Sequence, residues 1–526
     1  MSIWLGAQYV ALRVDGALVR VDRLVTTAAT RWPMPRRPHG PRLAVGVTLL
    51  VAAALRLIDL GRIGLNSDEA VYAGQAASLA GNQHFLPHFP IVRAHPLLMQ
   101  MIMSPFYRSG VPDVPGRYVA ALFGTATVWL VYVLGSVLYG RRVGVLAAVV
   151  LAVMPYHVIV SRQIMLDGPM TFFATAGLIC LALAATGTGR TGWLIAAGGF
   201  VGLAALTKET AFTLVGAAFV FLSLVNKLWR PLRFPLAGAV AAVSITIVYP
   251  VLTAISGGSG RGQSYLLWQL TRQPNHGFGF YPLFVGSSMG VLALVAAAVG
   301  LLVPRITGRP FSWQEMLLLS WIFVPLLFFQ VWPVKGFSYL MPLAPAIAVL
   351  VARALVQLPS RIASHRRRLA SAATASVVVA SLLIPAVLGV ALPARSGLAG
   401  AGGIPGGREA GRWVDAHLPH GARLITIGPS MANIIQFYSA RRCDGLSVSP
   451  NPLHRNPSYA SIDNADAELR DGNYQYIVWD VYSADRSPHF AARADDLVHR
   501  FSGRSVYVQR DSDSGRRIVE IYQVTP

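Results

Sequence analysis

Residues 43–70, LAVGVTLLVAAALRLIDLGRIGLNSDEA, decide the fold. The run from Leu43 to Leu60 is apolar over a length that crosses a bilayer as a helix, and shortly beyond it stands an adjacent acid pair, Asp68-Glu69. The run ends in Arg56 and Asp59 rather than in small residues, and no charge stands near Met1, so no cleaved secretory signal is read. Acids are scarce along most of the chain: residues 1–394 hold nine, Asp15, Asp22, Asp59, Asp68, Glu69, Asp113, Asp167, Glu209 and Glu315. A carboxylate beside lipid is costly unless paired or placed in water, which makes an acid pair at a membrane boundary a functional-site candidate. The bland alternative is a solvated loop start.

The same pattern continues outward. The 526 residues are 54% hydrophobic and 13% charged, with a mean hydropathy of +0.50, and apolar stretches of spanning length recur between short polar breaks. The expected class is an all-α polytopic membrane domain. A net charge of +22 would suit nucleic acid, but the basic residues cluster in the short breaks and the N-terminal segment. Membrane topology explains them, and no nucleic-acid partner is expected. With Arg13, Arg20, Arg23, Arg31, Arg36, Arg37 and Arg42 inside, runs near 43–60, 117–139, 143–160, 168–186, 191–206, 210–226, 234–253, 283–303, 315–331, 339–357 and 370–393 give eleven spans. The amino end is then cytoplasmic, the carboxyl end extracytoplasmic, and Asp68-Glu69 outside.

Each end differs from the middle. Residues 1–42 form a basic cytoplasmic segment in which Val10, Val14, Leu18, Val21 and Val25 fall on one helical face, as in an amphipathic surface helix. Residues 43–393 make the membrane domain and 394–407 a linker closing in GAGGIPGG, while 408–526 change character, with 15 Arg against 14 acids from residue 395 onward. This last part reads as an extracytoplasmic soluble α/β domain. Strands are expected at Arg423–Gly428, Tyr476–Val481, Ser505–Gln509 and Ile518–Val524, and helices at Glu409–Leu418 and Ala491–Phe501. Its aromatic residues Trp413, Tyr438, Tyr476, Trp479, Tyr507 and Tyr522 are expected in the core rather than as sugar platforms. Cys180 and Cys443 fall in different parts of the chain and imply no disulfide. The GxGxxG at Gly187–Gly192 follows no strand and reads as a tight turn.

Several polar groups stand at the outer mouths of different spans: Asp68-Glu69, Arg93-Ala-His95-Pro96, Arg162 with Asp167, Lys208-Glu209, and Lys335 with Tyr339. They could line one cavity. The chain has three lysines against 42 arginines, yet Lys208 and Lys335 both lie outside, against the prevailing direction of positive charge. A cation there is useful if it faces an anion, such as the phosphate of a lipid carrier. The alternative pairs Lys208 with neighbouring Glu209 and lets Lys335 snorkel.

These residues carry a family resemblance. Ser161-Arg-Gln-Ile-Met-Leu-Asp167-Gly-Pro-Met-Thr-Phe-Phe173 resembles the Ser-Arg-x-x-x-Leu-Asp-x-x-x-x-Phe-Phe segment of protein O-mannosyltransferases, and His95-Pro96-Leu97 is similar to their His-Pro-Pro-Leu. Asp68-Glu69 resembles the Asp-Glu motif of their first outer loop. Lys335-Gly-Phe-Ser-Tyr339-Leu-Met-Pro342-Leu-Ala-Pro345 resembles the Lys-x-x-x-Tyr-x-x-Pro-x-x-Pro run of lipid A aminoarabinose transferases. The resemblance is to the GT-C glycosyltransferases. It implies a polyprenyl-phosphate-linked sugar donor, an extracytoplasmic site, an acceptor in the form of a protein, lipid or cell-envelope glycan, and activation of that acceptor by the first-loop acid. Where the aminoarabinose transferases carry Glu-Lys-Pro-Pro, this chain has Ala94-His95-Pro96-Leu97. No metal ligand is therefore carried across, and a divalent cation stays an open cofactor.

The chemistry assigns roles. A hydroxyl attacking an anomeric carbon must lose its proton, so Asp68 is the expected general base, with Glu69 orienting it or binding acceptor. The departing lipid phosphate needs cations, for which Arg162, Lys208, Lys335 and His95 are candidates, with Asp167, Arg93 and Tyr339 supporting. One base and one displacement predict inversion. A polytopic transporter or lipid-carrier flippase is the alternative, although no internal repeat of the kind common in transporters is evident. The Arg-rich, Ala- and Gly-rich composition suggests a bacterial plasma membrane.

Overall fold

The computed structural model describes residues 40–91, 95–108, 112–187, 189–225, 231–255, 268–306, 308–357, 364–393, 402–512 and 514–525. The expected amphipathic segment at 9–25 and most of the linker lie outside these residues. Helices occupy the chain up to Ala391, and a mixed sheet begins at Arg423. Among the described residues seven helices are long and apolar enough to cross a membrane, or up to nine if each of two bent pairs is one span. The chain is a multi-pass membrane protein. Two more of the apolar runs, Gly40–Leu57 and Glu209–Leu224, are also helical but fall outside that set.

One bent pair shows how sequence places functional segments. Pro155 cannot donate a backbone hydrogen bond, and Arg141–Val153 meets Pro155–Ser161 at 61°. The buried Arg56 guanidinium bridges the break, donating to the carbonyls of Leu151 (3.1 Å) and Ala152 (2.9 Å) and lying 2.8 Å from His157 Nδ1. Elsewhere small residues bring helix backbones together, as is usual where lipid offers no hydrophobic drive. A Cβ on Gly135 would meet Gly144 Cα at 2.8 Å, and one on Gly198 would meet the Gly238 carbonyl oxygen at 1.9 Å.

The C-terminal region contains five strands: β1 Arg423–Thr426, β2 Arg442–Gly445, β3 Tyr476–Asp480, β4 Arg504–Arg510 and β5 Arg517–Gln523, in the sheet order β2-β1-β3-β5-β4. β1 is parallel to β2 and β3, whereas β5 is antiparallel to β3 and β4. One face packs on helices Gly407–His417 and Pro429–Ser439, and the other on Ala465–Arg470 and Pro488–Arg500. β2 and helix Pro429–Ser439 are additions to the sequence reading. Of the six aromatic residues expected in the core, Tyr438 and Tyr476 are buried and Trp413, Trp479 and Tyr507 pack against the two clusters, whereas Tyr522 is half-buried, belongs to neither cluster and accepts from Arg517 Nη1 (2.8 Å).

The sheet region rests on the segment that carries Asp68. The first hydrophobic face is continuous with helix Ser67–Leu79, and Phe437 meets Phe85 edge-on at 6.0 Å. Leu65 N donates to the Tyr438 hydroxyl (3.4 Å), and Arg408 donates to the Gly61 carbonyl (2.8 Å). At Gly403, φ is +66° and a Cβ would lie 2.5 Å from the Gly64 carbonyl oxygen, so only glycine permits this approach.

Candidate active site

Helix Ser67–Leu79 starts at Asn66, which accepts from Glu69 N while Glu69 accepts from Asn66 N, a reciprocal cap that fixes the first turn. Successive helical residues project about 100° apart, so neighbouring acids face different surroundings. Asp68 is exposed to a cavity of about 670 Å³. Glu69 turns inward with 0% exposure, receiving Arg117 Nε (2.7 Å) and Nη2 (2.6 Å) and Ile164 N (3.0 Å). The acid pair is thus one cavity carboxylate and one buried anchor. Glu69, expected to orient Asp68 or bind acceptor, has its oxygens on Arg117 and Ile164 N, where they hold the loop.

The cavity gathers most of the expected mouths. Asp68, His95, Lys208, Glu209, Lys335 and Tyr339 all line it. His95 Nδ1 lies 2.9 and 2.8 Å from the Glu209 oxygens. Lys208, 4% exposed, donates to both oxygens of fully buried Asp167 at 2.9 and 2.8 Å and stands 4.7 Å from the Tyr339 ring centre. Its partner is therefore Asp167, not neighbouring Glu209. Lys335 sits on the loop after helix Trp313–Val331, where Asn275 holds its backbone from both sides: Lys335 N donates to Oδ1 (2.8 Å) and Nδ2 donates to the Lys335 carbonyl (2.9 Å). Its Nζ donates to the Trp332 carbonyl (3.1 Å), and no ion pair involves it among the described residues.

Arg162, expected at the donor phosphate, is placed away from the other candidates. It caps helix Pro155–Ser161 and directs its guanidinium to the carbonyls of Leu55 (2.9 Å), Ile58 (2.8 Å) and Asp59 (3.4 Å), where the helix Gly40–Leu57 ends. It borders a separate small crevice with Arg117. Unpaired carbonyls at a helix end attract a cation, and that demand takes Arg162 out of the cavity. Arg93 lies outside the described residues.

The sequence reading left two sets of lining residues without a role in the donor site. Arg272, with its guanidinium 4.5 Å from the Trp268 ring centre, adds a further cation. The sheet region contributes Ser430, Ser447, Ser449, His454, Arg455, Asn456, Tyr459 and Tyr482. The opposite wall is apolar and aromatic, with Phe212, Phe328, Phe329, Trp332 and Phe337. Among the described residues no three His, Cys, Asp or Glu side chains converge. His95 and Glu209 supply two groups that already bond each other, which does not fit a cation held by protein ligands alone.

Residues 94–253 match the dolichyl-phosphate-mannose-protein mannosyltransferase family. The apo structure of ArnT from Cupriavidus metallidurans aligns over 91% of this chain and 97% of its own, with a TM-score of 0.67 and 16% identity. ArnT bound to undecaprenyl phosphate aligns over the same shares with a TM-score of 0.64 and 15% identity. The oligosaccharyltransferase AglB of Archaeoglobus fulgidus, in complex with an inhibitory peptide and a dolichol-phosphate, aligns over 92% of this chain and 74% of its own, with a TM-score of 0.58 and 15% identity. The chain has the GT-C glycosyltransferase fold. On that scaffold the cavity is lined by residues of both the helical region and the sheet region, Asp68 among them.

Proposed function

We propose that this chain is a membrane glycosyltransferase that moves a sugar from a polyprenyl phosphate onto an extracytoplasmic hydroxyl, with inversion. The observation that carries it is one cavity lined together by Asp68, Lys335, Arg272, Lys208 and His95. Asp68 takes the acceptor proton as the acceptor oxygen bonds to the anomeric carbon. The bond from that carbon to the phosphate oxygen breaks in the same displacement, and the electron pair leaves with the lipid phosphate. Lys335 and Arg272 meet the charge that develops there, because Lys208 is already neutralised by Asp167. The aromatic wall accommodates the proximal lipid. Asp167 and Tyr339 support Lys208, and no step is assigned to Arg162.

The topology proposed with it has eleven spans, residues 1–42 cytoplasmic, residues 43–393 as the catalytic membrane domain and residues 408–526 outside, in a bacterial plasma membrane. The transporter or flippase reading loses support, since the fold likeness is to sugar-transferring enzymes and the cavity holds a carboxylate beside cations. The test is transfer by the full chain in nanodiscs, using radiolabelled hexosyl- and pentosyl-phospho-undecaprenol with cell-envelope acceptors. Asp68→Asn should lower transfer at least about 100-fold while undecaprenyl phosphate still stabilises the protein. Equal transfer by wild type and variant would remove Asp68 as the base.

A further inference from the structure

The side of the cavity contributed by the soluble half differs in chemistry from the membrane side. It is built from Ser447, Ser449, Arg455, Asn456, Tyr459 and Tyr482, in contrast to the aromatic residues opposite. Ser447 and Tyr482 follow closely on β2 and β3, and helix Pro429–Ser439 follows β1, so the carboxyl ends of all three parallel strands open on the cavity. Open α/β sheets take their ligands there.

Asp68 lies at the seam between the two sides. Tyr482 lines the same cavity as Asp68; burial pushes its phenol up, Arg486 beside it pulls it down, and the Asp68 charge adds a further upward push. Asn433 Nδ2 ties the two halves together, donating to the Tyr459 hydroxyl and to Ser67 Oγ at 3.0 Å each, one residue from Asp68. Arg455 is held by Nη1, which donates to the Pro450 carbonyl (3.2 Å) and Ser461 Oγ (2.6 Å). Among the described residues it forms no ion pair, and the described hydrogen bonds engage it through Nη1 alone. The Leu453 carbonyl accepts from Thr271 Oγ1 (2.8 Å), clasping this loop to the segment that carries Arg272.

We propose that this wall is the acceptor subsite and that its ligand is a water-borne carbohydrate, whose hydroxyl reaches Asp68 from the soluble half. The inference rests on the glycosyl-transfer reading above and names its acceptor class. Guanidinium, amide and hydroxyl groups meet adjacent sugar hydroxyls, and the phenol faces pack against the C–H side of a ring. A lipid acceptor would need apolar surface, and Pro429 and Val448 are the apolar residues this side offers. A peptide acceptor commonly binds by adding a strand at a sheet edge, but the edges here are β2 and β4, while strand ends face the cavity.

The experiment uses the full chain in membranes charged with radiolabelled hexosyl- and pentosyl-phospho-undecaprenol, with products separated into protease-resistant glycan, protein and solvent-extracted lipid. Wild type should label the glycan fraction. Arg455→Ala and Asn456→Ala should each lower that labelling at least about tenfold, while stabilisation of the purified variants by undecaprenyl phosphate stays within about twofold of wild type. Labelling of the protein or lipid fraction instead, or unchanged labelling by both variants, overturns the proposal. If undecaprenyl phosphate fails to stabilise wild type and no fraction is labelled, the donor reading falls, and the subsite with it.

Discussion

At the residue scale the two cavity lysines separate into different roles. Lys208 has both Asp167 oxygens within hydrogen-bonding distance and is a structural pair, whereas Lys335 has a backbone carbonyl and no ion pair among the described residues. A charged hydrogen bond to a phosphate contributes about 1.5–3 kcal/mol, so Lys335→Ala should weaken undecaprenyl phosphate binding roughly 10- to 100-fold. The protein should remain folded, since Asn275 grips the Lys335 backbone rather than its ammonium. Titration of the purified variants in detergent checks this. Arg162→Ala should leave that affinity within about twofold of wild type, because its guanidinium is spent on helix-end carbonyls away from the cavity. Comparable weakening in both would return Arg162 to the phosphate site. Residue type and span-end position made both groups visible as outer cations in the sequence. The direction of the Arg162 side chain was not legible, because it depends on a helix end contributed by residues about a hundred positions away.

At the element scale, helix Ser67–Leu79 is an arm set by its first turn. Arg117 places Nε and Nη2 on Glu69 and its other hydrogens on the carbonyls of Leu60, Ile63 and Gly64, so a single buried guanidinium shapes the loop before the helix. Removing one partner of a buried pair leaves the other charge unpaired, at about 3–5 kcal/mol. Arg117→Ala should therefore lower the thermal midpoint markedly, and the added change Glu69→Gln should recover part of the loss. A double variant no more stable than Arg117→Ala alone would show that the carbonyl contacts dominate. The apolar runs were legible because a bilayer demands long uninterrupted stretches of apolar residues. β2 was not, since its four residues, RCDG, carry no alternating pattern. The cavity wall at 447–459 was hidden for a similar reason: serine, asparagine and proline mark a loop, and its position over Asp68 arises only once helix Pro429–Ser439 docks on helix Ser67–Leu79.

At the scale of the whole molecule, the sheet region lines the same cavity as the membrane helices, so the stability of its strands bears on the shape of that cavity. Asp480 ends β3 just before Tyr482; its Oδ1 accepts from Ser483 N (2.7 Å), while its buried Oδ2 has no partner among the described residues. Burial pushes this carboxyl up to about 6, against a partial downward pull from the Ser483 bonds. A carboxyl raised on folding binds its proton more tightly in the folded state, so its contribution to stability falls as pH rises from the unfolded value near 3.8 to about 6, and is flat above. Between pH 7 and pH 5 this single group should firm the end of β3 by roughly 1.4 kcal/mol, or about tenfold in its opening equilibrium. Hydrogen exchange over residues 476–486 of the full chain, corrected for the intrinsic pH dependence of amide exchange, should accordingly be about tenfold more protected at pH 5. Asp480→Asn keeps an oxygen to cap Ser483 N and removes the ionisation, so the pH difference should vanish; its persistence in the variant would assign the effect to another group.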